Sequence, residues 1–402
     1  MIKKYIKRKH CIKNVVSFID KDVIKVIVGQ RRVGKSYLLY QIMDSIRERG
    51  VKTENIIYIN KELHDFDDIK THKDLLEYVK QKMKNKKKYY VFVDEIQEIG
   101  KFEKALESMQ AEGRCDIYCT GSNADLLSGE LATYLSGRYV EIKVHGLSYP
   151  EFLYFHKLDN NKDALLKYIR YGGLPFLVNL SFKDDIIFEY LRNIYSTILF
   201  KDIVKRHSIR NVAFLERLVE FLADNTGSLV SAKSISDFLK SQKIKLSPSV
   251  VLNYLSFLSS AFFVFKVQRS DISGRKIFEI GEKYYFEDLG LRHSIIGYSQ
   301  VDINKILENL VFLHLKISGY KVTVGKLQDR EIDFVCDKGG ERLYVQAAYL
   351  IENQKAVDRE FGNLLKIHDN YPKFVVSMDE MAGGKYKGIE QVNIKDFLSK
   401  LL

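Results

Sequence analysis

Apolar and polar positions in the first third of the chain alternate between two periods. Val23–Val28 is a short β-branched run ending at a glycine. Asn55–Asn60, Tyr89–Val93, Cys115–Cys119 and Tyr139–Val144 are further apolar runs of strand length. Between them, Ser36–Arg49 (closed by Gly50), Leu75–Lys84 and Glu103–Ala111 carry helical spacing. Short apolar strands separated by helices predict an α/β fold with a parallel sheet covered on both faces.

From about Ser148 the pattern turns helical. Helices are expected at Pro150–Phe155, Ala164–Tyr171 and a long stretch over 183–205, with Gly172-Gly173-Leu174-Pro175 breaking the middle. Ala213–Tyr254 reads as several short helices. Two strand-like runs follow, Phe262–Gln268 and Lys276–Ile280, joined by Ser273-Gly274-Arg275. The last hundred residues mix a helix at Ile306–Ser318 with strands at Lys321–Val324, Ile332–Cys336, Leu343–Gln346 and Phe374–Ser377.

Composition narrows the partners. The net charge of +12 favours polyanions, with DNA, anionic membrane and nucleotide phosphates as the candidates. Membrane is disfavoured: the longest apolar stretch, Leu252–Val267, is interrupted by Asn253 and serines, short of the roughly 20 residues a span needs. Four cysteines, Cys11, Cys115, Cys119 and Cys336, have no CxxC spacing, so no zinc site is expected and a reducing cytoplasm fits. The charged start Met1-Ile2-Lys3-Lys4-Tyr5 lacks the apolar core of a signal peptide.

The chemistry begins at Gly29-Gln30-Arg31-Arg32-Val33-Gly34-Lys35-Ser36, which matches G-x-x-x-x-G-K-S. Glycines let backbone N–H groups curl around phosphate at a helix start, where the helix dipole is positive. Lys35 is expected to reach the β- and γ-phosphates and Ser36 to offer its hydroxyl to Mg²⁺. Tyr37 completes the expected ATP-contacting segment. The apolar run Tyr89–Val93 then delivers Asp94 and Glu95 to a strand's carboxyl end. Asp94 suits the Mg²⁺ shell, and Glu95 is placed to orient or deprotonate water. Ser122 and Asn123, after Ile117–Gly121, could contact the γ-phosphate or the water, or simply cap a turn. Arg138 could neutralise transition-state charge on a neighbouring subunit, or be a surface arginine in a turn.

These segments, Gly29–Ser36, Val91–Glu95, Thr120–Asn123 and Ser136–Arg138, resemble the Walker A, Walker B, sensor-1 and arginine-finger segments of AAA+ ATPases. The strings Asp94-Glu95-Ile96-Gln97, Tyr171-Gly172-Gly173-Leu174-Pro175, Lys283–Arg292 and Ile332-Asp333-Phe334 extend the likeness to a prokaryotic subgroup that couples an AAA-type domain to a C-terminal domain of unknown function. The resemblance implies an ASCE-type sheet and four regions: an ATPase domain over 1–147, a helical lid over 148–209, a winged helix over 210–298, and a PD-(D/E)xK nuclease-like domain over 299–402.

In the winged-helix reading, Ser231–Leu239 and Ser247–Leu258 form helix-turn-helix and the two strand-like runs form the wing. Lys233, Lys240, Lys243, Lys245, Arg269 and Arg275 could contact DNA phosphates, or the module could serve packing or oligomerisation. Asn253 and Gln242 are the only amides there suited to base edges. In the nuclease-like reading Glu308, Asp333 and Gln346 occupy the acidic positions. Ala348 stands where the lysine belongs, so the site is expected to be vestigial unless Lys326 or Lys355 substitutes. The sequence thus predicts a Mg·ATP-hydrolysing homo-oligomer acting on DNA. The alternative is an ATP-switched oligomer that binds a protein.

Overall fold

The computed structural model describes residues 5–127, 135, 137–241, 247–272, 277–351, 353–380 and 383–400. Gln242, Lys243, Lys245, Ser273–Arg275 and Ser136 lie outside the described residues. The chain forms two compact units, one of residues 1–145 with 260–262, the other of residues 146–259 with 263–402.

The first unit is built on five parallel strands: β1 (Ile24–Val28), β2 (Ile56–Asn60), β3 (Tyr89–Asp94), β4 (Cys115–Gly121) and β5 (Tyr139–Lys143). Their order is β2-β3-β4-β1-β5. Every residue of β1 and β3 is buried, which is why their sequences read as unbroken apolar runs. Four helices are described around them: α1 (Lys9–Val16), α2 (Lys35–Glu48), α3 (His72–Lys82) and α4 (Phe102–Ala111). Val26, Val28, Val91, Val93 and Cys119 join Leu75, Val79 and Leu106 in one core. A capping box between Thr71 and Asp74 starts α3. Strand β4 separates the strand carrying Asp94 from the strand before the P-loop, as the ASCE resemblance implies.

The second unit opens with helices α5 (Tyr149–His156), α6 (Lys162–Tyr171), α7 (Asp184–Thr197), α8 (Val212–Asp224), α9 (Ala232–Ser241) and α10 (Pro248–Ser260). Helix α7 runs on through a π-helical segment, Ile198–Lys205. Ser231 accepts from Ser234 N at 3.0 Å, the cap expected for α9. The unit also contains α11 (Leu289–Ile296), α12 (Ile303–Ile317), α13 (Gln354–Leu365) and α14 (Ile394–Leu398). Its eight-stranded sheet comprises β6 (Val264–Asp271), β7 (Ile277–Phe286), β8 (Lys321–Leu327), β9 (Arg330–Lys338), β10 (Glu341–Ala347), β11 (Lys373–Ser377), β12 (Gly384–Tyr386) and β13 (Ile389–Asn393). The order is β12-β13-β11-β10-β9-β8-β6-β7.

This topology corrects the expected wing. Strands β6 and β7 do pair as an antiparallel hairpin, but Arg269–Asp271 of β6 also pair in parallel with Val324–Lys326 of β8. Backbone groups that a free wing would leave to solvent are satisfied by the sheet. The sheet therefore takes strands from both sides of residue 298.

The two motifs Tyr171–Pro175 and Lys283–Arg292 meet inside this unit. Asp288 caps α11 through Leu291 N and accepts Gly173 N at 2.7 Å. Gly172 has φ +78°, and a Cβ there would lie 2.3 Å from Asp288 Oδ1. Only glycine fits that approach. Among the described residues no helix is long and apolar enough to cross a membrane.

Candidate functional site

Strand β1 empties into Gly29–Ser36, and α2 begins at Lys35. Gly29 has φ +155°, and a Cβ there would meet Val144 O at 2.1 Å. Gly34, with φ +98°, ends the loop. Arg32 is also left-handed, at φ +70°, and exposed. Lys35 Nζ donates to Gly29 O at 2.9 Å and Gln30 O at 3.0 Å, so the buried ammonium closes the loop on itself. Arg31 pairs with Glu62 at 3.7 Å. Gln30 is fully buried, and its amide atoms find no partner among the described residues. Val33 is buried, and Tyr37 is exposed at the start of α2. Arg8 braces the loop, donating from Nη1 to Val33 O and His145 O, each at 2.9 Å.

Strand β3 carries Asp94 and Glu95 to the same end of the sheet. Asp94 accepts Thr120 Oγ1 at 2.5 Å and the Tyr58 hydroxyl at 3.1 Å, and it hydrogen-bonds Ser36. The P-loop serine and the strand carboxylate are therefore in direct contact. Burial pushes the Asp94 carboxyl above its ordinary range, although the three hydroxyls pull against it. Glu95 behaves oppositely. Burial pushes it up, but the Lys35 ammonium, the Gln97 amide, Arg31 and Ser122 outweigh burial and hold it low. A carboxylate kept ionised beside a P-loop is what a general base requires. Glu95 also takes a left-handed backbone, φ +56°, with its N–H on Thr120 Oγ1 at 2.9 Å. Such strain in a non-glycine residue marks a position fixed by its surroundings.

Ser122 and Asn123 are both buried. The Ser122 hydroxyl faces Glu95, on the chemical side of its two expected roles. Arg138 is exposed beside Tyr139, which pairs with Ile24 at the beginning of β1. The P-loop leaves the opposite end of β1, so Arg138 does not approach the nucleotide site of its own chain.

The residues present fit Mg·ATP. The glycine cradle, the buried Lys35 and the Ser36–Asp94 contact offer phosphate grip and one carboxylate, and Mg²⁺ at phosphates is commonly held by one or two carboxylates plus phosphate oxygens. Among the described residues no three His, Cys, Asp or Glu converge as a self-sufficient metal site.

In the second unit, Glu308 on α12, Asp333 on β9 and Gln346 on β10 do come together. Gln346 Oε1 accepts Asp333 N at 3.2 Å, and Ala347 N donates to Asp333 Oδ2 at 2.9 Å. The lysine absent from β10 is replaced from β7. Lys283 Nζ lies 2.8 Å from Glu308 Oε1 and 2.8 Å from Glu331 Oε1. The Tyr285 hydroxyl donates to Glu308 at 2.6 Å. Burial would lower the Lys283 pKa, but Glu308, Asp333 and Glu331 raise it above the ordinary lysine value. Burial, then Glu308, drive Asp333 well above the carboxylate range. An ammonium among these carboxylates does not fit a divalent cation. Of the expected substitutes, Lys355 is exposed and Lys326 lies on β8.

Residues 21–153 match the family described as AAA domain, and residues 162–302 match a domain of unknown function. An uncharacterized protein of Haemophilus influenzae is 38% identical over 405 residues, covering 99% of this chain and all of that protein. The chain belongs to that protein's family. A second uncharacterized protein, from Methanocaldococcus jannaschii, is 30% identical over 93% of this chain and 85% of its own length. A Walker-type ATPase of Pyrococcus abyssi shares the fold, with TM-score 0.52 and 16% identity over 73% of this chain and 96% of that one. The family's first domain is thus a P-loop domain of AAA type.

For this family member, sequence reasoning missed Arg8, Tyr58, Gln97 and Lys283. Each acts through a partner at least two positions away whose proximity depends on the folded sheet or turn. A polar side chain inside an apolar strand, such as Tyr58 in Ile56–Asn60, was the available signal for one of them.

Proposed function

We propose that the chain binds ATP with Mg²⁺ at Gly29–Tyr37 and hydrolyses it with Glu95 as general base. The observation that carries this reading is the ionised Glu95 beside an Asp94 already bonded to Ser36. Backbone N–H groups of the loop would grip the phosphates. Lys35 would exchange its bonds to Gly29 O and Gln30 O for phosphate oxygens. Ser36 and Asp94 would hold Mg²⁺, which supplies charge neutralisation at the phosphates when bound. Glu95 would accept a proton from the attacking water, with Ser122 and Asn123 lining its approach. Arg138, remote from its own nucleotide site, would act on the site of a neighbouring copy in a homo-oligomer.

ATP turnover would drive rearrangement of the domains on DNA, the polyanion that the charge of +12 suits. Exposed Lys233 and Lys240 on α9 are candidate phosphate contacts. One observation favours the rival, an ATP-switched oligomer that binds a protein: the hairpin that would have been a DNA-contacting wing is taken into the sheet. Purified chain is expected to hydrolyse ATP. Lys35→Ala should lose nucleotide binding or turnover. Glu95→Gln should bind ATP but turn over about 10²–10⁴-fold more slowly. Wild-type rates in both variants would remove the ATPase reading. Stimulation of turnover by DNA, weakened by salt, decides for DNA over a protein partner.

A further inference from the structure

Gln97 stands two positions after Glu95, on the short 3-10 turn Ile96–Glu98. Its amide nitrogen donates to Glu95 Oε2. A carboxylate only accepts, so the orientation of this amide is settled by chemistry: nitrogen faces Glu95 and oxygen faces away. That oxygen, Oε1, is buried, and no donor among the described residues reaches it. A buried acceptor left without a donor is costly, and such costs persist where another state of the molecule supplies the donor.

Gly121 supplies the second observation. It ends β4, and a Cβ there would lie 2.9 Å from Gln97 Oε1 and 3.0 Å from Leu126 Cδ2. Its backbone is not left-handed, so this glycine answers a need for space rather than for conformation. A bare strand end therefore leaves room beside an acceptor that lacks a donor, one hydrogen bond away from the ionised Glu95.

We propose that Gln97 is a second water-orienting residue of the hydrolytic site, holding Glu95 through its nitrogen and taking one hydrogen of the attacking water on Oε1. This rests on the ATPase reading given above. The water then points one hydrogen at Glu95 and the other at Gln97, which leaves a lone pair free for the γ-phosphorus. The bond from water oxygen to the γ-phosphorus forms. The bond from the γ-phosphorus to the β–γ bridging oxygen breaks, and ADP takes that electron pair. Glu95 receives the proton of the first hydrogen, and Gln97 neither gains nor loses one.

The test uses the full chain with Gln97→Leu and Gly121→Ala, the second of which would cover Oε1 with a methyl group while keeping the nitrogen on Glu95. Turnover, affinity for a fluorescent ATP analogue and affinity for ADP with aluminium fluoride are measured for each. Gln97→Leu should lower kcat about 100-fold, and Gly121→Ala about 10-fold, since one preorganised donor or acceptor is worth that order in a hydrolytic site. Affinity for the ATP analogue should hold, while affinity for the aluminium fluoride complex falls in step with kcat. A Gln97→Leu kcat within about threefold of wild type overturns the proposal. Equal loss of ATP-analogue affinity and kcat in both variants also overturns it, because that is the signature of a damaged fold. A wild-type chain without turnover overturns the ATPase reading and this proposal together, and the wild-type rate separates that failure from the first two.

Discussion

Tyr58 holds Asp94 from the adjacent strand, its hydroxyl donating to Oδ2 at 3.1 Å, while the Tyr40 hydroxyl lies 3.2 Å behind it. The bond favours the charged form of a carboxyl that burial pushes up. Removing it in Tyr58→Phe leaves Asp94 protonated more of the time and less firmly aimed. We expect the Mg²⁺ concentration for half-maximal turnover to rise about 10-fold, the usual order for losing a partner of a metal ligand. A Mg²⁺ titration of ATPase rate checks this, and an unshifted midpoint would count against a metal-holding role for Asp94.

Lys25 and Asp116 form a fully buried pair at the far end of the first sheet, where Asp116 also accepts the Tyr118 hydroxyl at 2.8 Å and Asp20 N at 2.9 Å. Lys25→Met strands the carboxylate and should cost about 3–5 kcal/mol. The double change Lys25→Met with Asp116→Leu should recover much of that loss, because neither charge remains buried. Urea unfolding midpoints of the three proteins decide it.

Two buried histidines set an acid limit on the second unit. Burial lowers His314 to about 4 and His293 to about 3, and His293 Nδ1 lies 2.9 Å from Arg170 O. Their folded values lie below the ordinary 6.5, so the unfolded chain binds more protons between those limits. The stability they contribute is complete above pH 6.5 and is lost as pH falls toward 4 and then 3. Melting temperature should decline over that window, and His314→Gln should flatten its upper part.

Lys283 and Glu308 should be strongly coupled. Lys283→Met leaves Glu308 and Glu331 facing each other without their cation, at about 3–5 kcal/mol. Adding Glu308→Gln should cost less than the sum, with a coupling energy of about 0.5–3 kcal/mol. Strict additivity in the cycle would mean the 2.8 Å contact is absent in solution.

What could be read from the sequence follows period and motif. Val26 and Val91 sit in strands buried on both faces, so unbroken apolar runs sufficed to place them. Gly29, Lys35, Asp94 and Glu95 lie within two short strings whose spacing carries the chemistry. Lys283 escaped because its carboxylates are 25 and 48 positions away on other elements, and no local rule connects them. The wing was misjudged because β6 alternates as a free hairpin strand would, and only its register with Val324–Lys326 reveals the sheet partner. Gln97 escaped for a different reason: an amide on a turn looks solvated until the buried Glu95 beneath it is known.

Arg8 ties the carbonyl of Val33 to the carbonyl of His145 with one guanidinium. One is inside the loop that would close on phosphate, and the other is where the chain leaves the first unit. A shift of the loop by even an ångström must stretch or break one of two charge-assisted bonds, each worth about 1.5–3 kcal/mol. The loop and the exit are therefore held to a common tension, and whatever energy the nucleotide spends on reshaping the first is withdrawn from, or lent to, the second. Replacing a single side chain near the beginning of the chain would uncouple that transmission without touching a residue of the phosphate grip itself.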